Sequence, residues 1–234
     1  MSQKSIAVIL THGAWADGSS WANVILPLER NGCEVIAAPI PLTSLSNDIA
    51  ALGRVIERTR GPVILAAHAY AGAVISAMKN ERVRALVCIA ALTPDRGETV
   101  GDVFYREKPH AKMPQLEPDG NGLIWMPKAG FPDAFAQNAS ADMIAILAAT
   151  QRPIALRCIQ EPAPAPAWKT IPSWFLVAKD DRMINPQTQL FMAGRMGAMI
   201  HAHAVDHTPL VTAPELVVKI ILEAVTSLAK SPNP

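Results

Sequence analysis

The chain has little of several features that mark specialised classes of protein. Only 18% of its 234 residues are charged, the formal net charge is +1, and there is neither a basic stripe nor an acidic tail. Its three cysteines are widely spaced and form no CxxC pair. No apolar run reaches the length that a membrane-spanning helix needs. These absences argue against a disulfide-stapled scaffold, a nucleic-acid-binding protein and an integral membrane protein.

Half of the residues are hydrophobic, which is enough for a sizeable buried core. The length fits a single domain over residues 1–234. The first apolar run is too short for a signal peptide and leads into His12 and Gly13 instead of a cleavage site, so we expect a cytoplasmic protein. We expect a small-molecule substrate or ligand, and neither a nucleic acid nor a membrane as a partner. The oligomeric state stays open, a homodimer included.

Short β-branched runs alternate with helical patterns along the chain. This alternation is typical of an α/β fold in which helices cover both faces of a mostly parallel sheet. Three of the runs are almost entirely apolar, as strands buried on both faces are. The pattern predicts about six strands, at residues 6–10, 34–37, 63–66, 85–90, 173–177 and 199–204.

Amphipathic stretches between these runs predict helices that pack on the sheet. Apolar residues recur at helical spacing over 45–56, with Ser46 or Asn47 as the predicted N-cap. A similar stripe covers 216–225, and a further helix is predicted over 141–149.

The segment from about 98 to 168 breaks the alternation and is rich in proline, methionine and aromatic residues. Because it leaves the sheet after one predicted strand and returns to the next, we expect a helical cap insertion over the strand ends. Trp125, Phe131 and Phe135 from this segment, together with Trp15, are candidate substrate-binding residues. Packing inside the cap explains the first three equally well.

The most informative segment follows the third predicted strand. An apolar strand, a turn of small residues and a helix start form the layout of the G-x-S-x-G nucleophile elbow, whose serine sits on a strained turn. Here the five positions read Ala67-His68-Ala69-Tyr70-Ala71. The nucleophile position is therefore Ala69, which has no side-chain oxygen.

Three other short motifs follow predicted strands. Residues 12–15 (His-Gly-Ala-Trp) come after the first strand, Asp180 and Asp181 after the fifth, and His207 after the last. The chain order of nucleophile position, acid and histidine is that of α/β-hydrolases. All four motifs fall just past strand ends, where open α/β sheets place their sites.

On these motifs the chain resembles the α/β-hydrolase superfamily throughout its length, and it is most similar to the small branch of methyl esterases and hydroxynitrile lyases. The resemblance implies an α/β-hydrolase fold and a cofactor-free hydrolase or lyase-like activity on a small carbonyl compound or ester. It also implies that the backbone N–H groups of Ala14 and Tyr70 form an oxyanion hole. By the same resemblance His207 is the general base and Asp181 orients it, with Asp180 as the alternative acid.

Ala69 stands where the motif has its nucleophilic serine, and a methyl group cannot attack a carbonyl. The usual serine mechanism is therefore not available to this chain. Three explanations stay open: an engineered alanine in place of serine, a native enzyme in which His207 and Asp181 act on water or on a substrate proton, and a native binding protein. The alanines at 67 and 71, in place of the usual glycines, favour a native Ala69, because one engineered change does not account for them. A preserved turn predicts φ > 0 at Ala69 and a hydrogen bond between His207 and Asp181.

The remaining histidines invite a different interpretation. His201, His203 and His207 resemble the H-x-H-x-D-H motif of metal-dependent hydrolases, and strand alternation would place the first two on one face. The spacing is one residue too long, the remaining histidines lie far away in the sequence, and the motif comes late in the chain, so we expect no metal. His12 and His68 are interpreted as structural residues that brace the turns beside the site.

Overall fold

The structure of the protein is a computed structural model that describes residues 5–230. The described residues form the strands β1 (Ala7–Thr11), β2 (Glu34–Ala38), β3 (Val63–His68), β4 (Val83–Ile89), β5 (Leu123–Ile124), β6 (Ile154–Ala155), β7 (Ser173–Ala178) and β8 (Met199–His203). Six of them form one sheet in the order β2-β1-β3-β4-β7-β8, in which every neighbouring pair is parallel. The predicted α/β fold with a parallel sheet of six strands is confirmed, with strand ends displaced by at most two residues.

The register of the sheet brings the predicted motifs together at one edge. Strands β1, β3 and β7 are buried along their whole length, as expected for strands covered on both faces. Thr11 at the end of β1 pairs with Ala67 near the end of β3, so the turns that follow them are neighbours. Ala178 pairs with His203 at the ends of β7 and β8, which places the acid turn beside the loop that contains His207.

Helices cover both faces of this sheet. The helices are α1 (Ala22–Arg30), α2 (Leu45–Glu57), α3 (Ala71–Ser76), α4 (Val100–Phe104), α5 (Ala141–Thr150), α6 (Leu156–Gln160), α7 (Pro186–Arg195), α8 (Pro209–Thr212) and α9 (Pro214–Lys230). Alternate residues of β1 belong to different buried clusters, because successive strand side chains point to opposite faces. Ala7 and Ile9 pack with α2 and α3, whereas Val8 and Leu10 pack with α1 and α9.

The predicted helices over 45–56, 141–149 and 216–225 lie within α2, α5 and α9. The predicted N-cap of α2 at Ser46 or Asn47 is wrong. The cap is Ser44, whose extended backbone (φ −166°, ψ 157°) lets its side chain accept the N–H of Asn47 at 3.1 Å. Three polar residues follow one another closely here, and only the backbone conformation distinguishes the capping residue.

The segment between β4 and β7 leaves the sheet and returns at nearly the same point. It contains α4, α5 and α6, a π-helical turn at Phe131–Phe135 and the short antiparallel pair of β5 and β6. Its two ends are joined by main-chain hydrogen bonds: Gly97 N–H donates to Ala163 O at 2.9 Å, and Ala163 N–H donates to Glu98 O at 2.8 Å. The segment is therefore an insertion between β4 and β7 that has its own helices and strand pair and that begins and ends at neighbouring points.

Cys33, Cys88 and Cys158 are buried and none of these described residues forms a disulfide. Within residues 5–230, no helix combines the length and apolar character that crossing a membrane requires.

Candidate active site

Ala69 connects β3 to α3 in a strained backbone conformation. Its φ of 49° lies in the left-handed region that residues with a side chain rarely adopt, which confirms the predicted positive φ. The Ala69 N–H donates to Ile89 O at 3.2 Å, and the Ala69 carbonyl oxygen accepts the N–H of Gly72 at 3.0 Å and of Leu92 at 2.9 Å. The turn requires a small residue at the second position of α3, because a Cβ at Gly72 would lie 2.6 Å from Leu92 O.

A buried histidine and a buried aspartate lie at the same edge of the sheet. Nδ1 of His207 and Oδ2 of Asp181 are 2.8 Å apart, and their side chains are 2% and 0% exposed. The structure thus brings together the predicted pair, whereas Asp180 is exposed. Because Nδ1 is bound to the carboxyl group, Nε2 is the ring nitrogen of His207 left to meet a ligand.

The turn after β7 holds the Asp181 carboxyl group in place. Its Oδ1 accepts the N–H groups of Met183 at 2.7 Å and of Ile184 at 2.9 Å. Its Oδ2 accepts the side-chain amide of Gln189 at 2.8 Å, in addition to the contact with His207. The sequence analysis does not identify Gln189. Its side-chain amide is fully buried on α7, and this burial is visible only in the tertiary structure.

Two aromatic rings contact the imidazole of His207. The ring centroids of His68 and Phe135 lie 4.7 Å and 5.3 Å from that of His207. Nε2 of His68 donates a hydrogen bond to the main-chain carbonyl oxygen of His207 at 2.7 Å. Burial lowers the pKa of His68 well below its ordinary value, and the neighbouring His207 lowers it further. His68 is therefore a neutral side chain packed behind the site.

Two backbone N–H groups in this region have no partner. Ala14 and Tyr70 both line the cavity described below, and within residues 5–230 neither N–H donates a hydrogen bond. The next residue, Trp15, has a positive φ of 57° and donates its indole N–H to Ile124 O at 2.9 Å. Two unused donors in the wall of a cavity are what an oxyanion hole needs, and that role for Ala14 and Tyr70 stays a prediction.

These groups surround a cavity of about 70 Å³. Among the described residues that line it there is no serine, threonine or cysteine and no acidic or basic side chain apart from one histidine. An apolar cavity with few convergent polar groups is typical of a small-molecule site. The lining residues are Ala14, Trp15, Ala69, Tyr70, Leu92, Val100, Phe104, Tyr105, Leu116, Ile124, Ile154, Ile159, Met183, Ile184 and His207.

The four aromatic residues predicted to bind substrate lie in different places. Trp15 lines the cavity, whereas Trp125, Phe131 and Phe135 are not among its lining residues. Trp125 is 47% exposed and its indole N–H donates to Asp119 at 3.3 Å. Phe131 and Phe135 are fully buried and stack edge to face, and Phe135 contacts the imidazole of the site instead. The structure thus brings only Trp15 to the cavity wall.

A buried polar cluster behind Tyr70 was not predicted. The Tyr70 hydroxyl donates to Oδ2 of Asp48 at 2.6 Å, and the N–H of Leu42 donates to Oδ1 at 2.7 Å. The thiol of Cys158 contacts the same carboxyl group at 3.7 Å. Burial raises the pKa of Asp48, and burial also raises the pKa of Cys158 to about 12. The cluster connects α2 and α6 to the turn at Ala69.

His12 and His201 make contacts outside the cavity. Nδ1 of His12 donates to Gly13 O at 2.9 Å, and burial lowers the pKa of His12. Nε2 of His201 lies 2.9 Å from the carboxyl group of Glu223. In the part of the chain that the structure describes, no three side chains of the kinds that bind metals are grouped together.

Comparisons with known proteins agree with this architecture. A family model described as the alpha/beta hydrolase family matches residues 8–220. The solved structure of polyneuridine aldehyde esterase superposes with a TM-score of 0.83 at 16% identity, covering 95% of this chain and 100% of that chain. A pyrethroid hydrolase from Sphingobium faniae JZ-2 gives 0.77 at 18% identity, covering 97% and 99%. A methylesterase from Arabidopsis gives 0.78 at 14% identity, covering 94% and 99%. No curated protein sequence matches the chain.

Proposed function

Because the chain belongs to the alpha/beta hydrolase family, we propose that it is an enzyme for a small carbonyl compound or ester. In this proposal His207 transfers the proton, Asp181 orients its imidazole, and no covalent intermediate forms at Ala69. The observation that carries the proposal is the contact of 2.8 Å between the buried side chains of Asp181 and His207, of which His207 lines an apolar cavity. A buried histidine with one nitrogen held by a carboxyl group has its other nitrogen ready to accept a proton.

Water is the nucleophile in the proposed hydrolysis, since no serine, threonine or cysteine lies among the described lining residues. Nε2 of His207 takes a proton from water while the water oxygen bonds to the carbonyl carbon, and Asp181 stabilises the imidazolium that forms. The N–H groups of Ala14 and Tyr70 bind the oxyanion. The carbon–oxygen bond to the leaving group then breaks, and His207 returns the proton to the departing alkoxide, which releases an acid and an alcohol. With a substrate that has an acidic C–H bond, the same base removes that proton instead.

The cavity wall indicates which substrates are suitable. Its side chains are apolar except for His207 and the two tyrosines, so a neutral compound enters at lower cost than an ion. We propose that the segment 98–168 is a cap, because Val100, Phe104 and Ile154 from it line the cavity together with residues that follow the strand ends. The range of substrates would then be set mainly by the cap.

A non-catalytic binding protein is the second candidate. The specific observation in its favour is Ala69, which supplies no nucleophile although the positive φ of 49° is kept. Two unpartnered N–H groups in an apolar cavity are sufficient to hold a carbonyl oxygen without any reaction.

The first experiment measures hydrolysis of p-nitrophenyl acetate and butyrate by the protein, by His207→Ala and by Asp181→Asn. Loss of the general base is expected to lower the rate by about 10²–10⁴-fold. Asp180→Asn is the matched control, because this carboxyl group is exposed and one residue away. Equal rates for Asp180→Asn and Asp181→Asn, with turnover present, would contradict the assignment of Asp181.

The second experiment introduces the missing oxygen. Ala69→Ser is expected to give faster ester hydrolysis with a burst of p-nitrophenol, because the serine hydroxyl would face His207 in a preserved turn. Adding His207→Ala to this variant should remove the gain. If neither form hydrolyses an ester, and butanone binds with a measurable heat, the enzyme proposal fails for these substrates and the binding protein is favoured.

A further inference from the structure

His68 precedes the strained residue Ala69 and is buried, yet it has no place in the proposed chemistry. Only 1% of the residue is exposed, and it is not among the described residues that line the cavity. A histidine in such a position usually satisfies a local hydrogen bond in the core. Its contacts here lead directly to the other histidine of the site.

The first contact fixes the main chain of His207. Nε2 of His68 lies 2.7 Å from the carbonyl oxygen of His207, and a carbonyl oxygen only accepts, so Nε2 carries the hydrogen. This hydrogen bond spans 139 positions in the sequence, from the end of β3 to the loop after β8. It also determines the tautomer of His68, whose Nδ1 is buried and has no partner among the described residues.

The second contact restrains the ring. The imidazole of His207 contacts the ring of His68, at 4.7 Å, and that of Phe135, at 5.3 Å, and the centroids of these two rings are 6.4 Å apart. Its Nδ1 is held by Asp181 at 2.8 Å. The loop is further held by Asp206, which accepts the N–H of Asn138 at 3.0 Å. Among these contacts, only the one from His68 holds the main chain of His207 itself.

We propose that His68 is a positioning residue that sets the orientation of the His207 imidazole by binding the His207 carbonyl oxygen. The functional part rests on the proposed function, in which His207 is the base. His68 is not among the described residues that line the cavity, so it acts through His207. Burial keeps the pKa of His68 low, so its ring is neutral near pH 7 and places no charge beside the imidazole of the site.

A matched pair of substitutions separates the hydrogen bond from simple filling of space. His68→Gln and His68→Met introduce unbranched side chains of similar length, and only the glutamine has an N–H group that can reach the carbonyl oxygen of His207. His68→Asn keeps an amide donor on a side chain one methylene shorter than that of glutamine, too short to reach the carbonyl oxygen of His207, and it replaces the methionine variant if that variant does not fold.

The experiment records the Nδ1–H proton of His207 by NMR in protein labelled with ¹⁵N-histidine, with His207→Ala to assign the signal. The slowly exchanging signal should be present in the starting protein and in His68→Gln, and it should be lost to solvent exchange in His68→Met and His68→Asn. A sharp, unshifted signal in a folded His68→Met variant would overturn the proposal. This result does not depend on turnover, so it is distinct from the failure of the proposed function.

If the protein hydrolyses esters, the second measurement is kcat and KM of the His68 variants. A displacement of about 1 Å of a catalytic group costs about a hundredfold in rate, so kcat in His68→Met should fall by about that factor while KM changes little. The glutamine variant should recover most of the loss. An equal fall of kcat in both variants, or a change confined to KM, would refute positioning through the carbonyl oxygen.

Discussion

Gly72→Ala tests how tightly the start of α3 is packed beneath the strained turn. A Cβ at Gly72 would lie 2.6 Å from Leu92 O and 2.8 Å from the Cβ of Ala91. Both neighbours are backbone or a short side chain, so the main chain itself must move. Overpacking of this kind costs about 1–3 kcal/mol, and the better helix propensity of alanine returns about 0.5–1 kcal/mol. The net loss of about 1–2 kcal/mol lowers the Tm of a protein of this size by about 2–8 °C.

Gly53→Ala is the control, because Gly53 lies inside α2 and its nearest neighbour, Met78 Cε, would be 3.8 Å from the new Cβ. This variant should be as stable as the starting protein or up to about 1 kcal/mol more stable. Differential scanning calorimetry measures both variants. If Gly72→Ala is as stable as Gly53→Ala, the close approach of α3 to residues 91–92 does not constrain the turn, and our account of the need for a small residue there is refuted.

Two further predictions concern buried polar groups. Tyr70→Phe removes a donor from the buried Asp48 and should lower the free energy of unfolding, measured in urea, by about 1–3 kcal/mol. The control is Tyr105→Phe, at a residue that is 56% exposed, and this change should lower it by less than about 0.5 kcal/mol. Equal losses would contradict the contribution of the cluster. The lowered pKa of His68 means that, below about pH 6.5, the unfolded chain binds a proton that the folded chain does not. The contribution of His68 to the free energy of unfolding is therefore fully present above the unfolded pKa of about 6.5. It falls as the pH drops below that value, by up to about 1.4 kcal/mol per pH unit. His68→Gln should have a smaller loss of unfolding free energy between pH 7.5 and pH 5.5, and an unchanged slope would show that His68 is not the group responsible.

The fold could be predicted because apolar runs alternate with amphipathic helical stretches along most of the chain. Apolar runs such as 63–66 and 173–177 are long enough for buried strands and are separated by helical stripes, so the parallel sheet follows. The sequence also predicts that Ala69, Asp181 and His207 lie close together, because each follows a strand and the carboxyl ends of parallel strands meet at one edge of the sheet.

The parts that could not be predicted depend on contacts between distant segments. Gln189 and Asp48 appear in the sequence as ordinary polar residues of amphipathic helices, and only packing turns them toward Asp181 and Tyr70. The segment 98–168 has no regular alternation, so the direction of its aromatic side chains was not determined by periodicity. The sequence therefore predicts Trp125, Phe131 and Phe135 as substrate-binding residues together with Trp15, whereas the structure places only Trp15 at the cavity.

The paired ends of the segment between β4 and β7 have a consequence for how new specificities arise. Because Gly97, Glu98 and Ala163 are hydrogen-bonded to one another, the chain between them starts and finishes at a fixed point. Its length can change with little effect on the entropy of closing the loop, which grows only slowly with the number of residues. A different segment of similar span could replace it without altering the register of β4 and β7. The turns that contain Asp181 and His207 can thus remain constant while the residues that this segment contributes to the cavity, such as Val100 and Ile154, are exchanged.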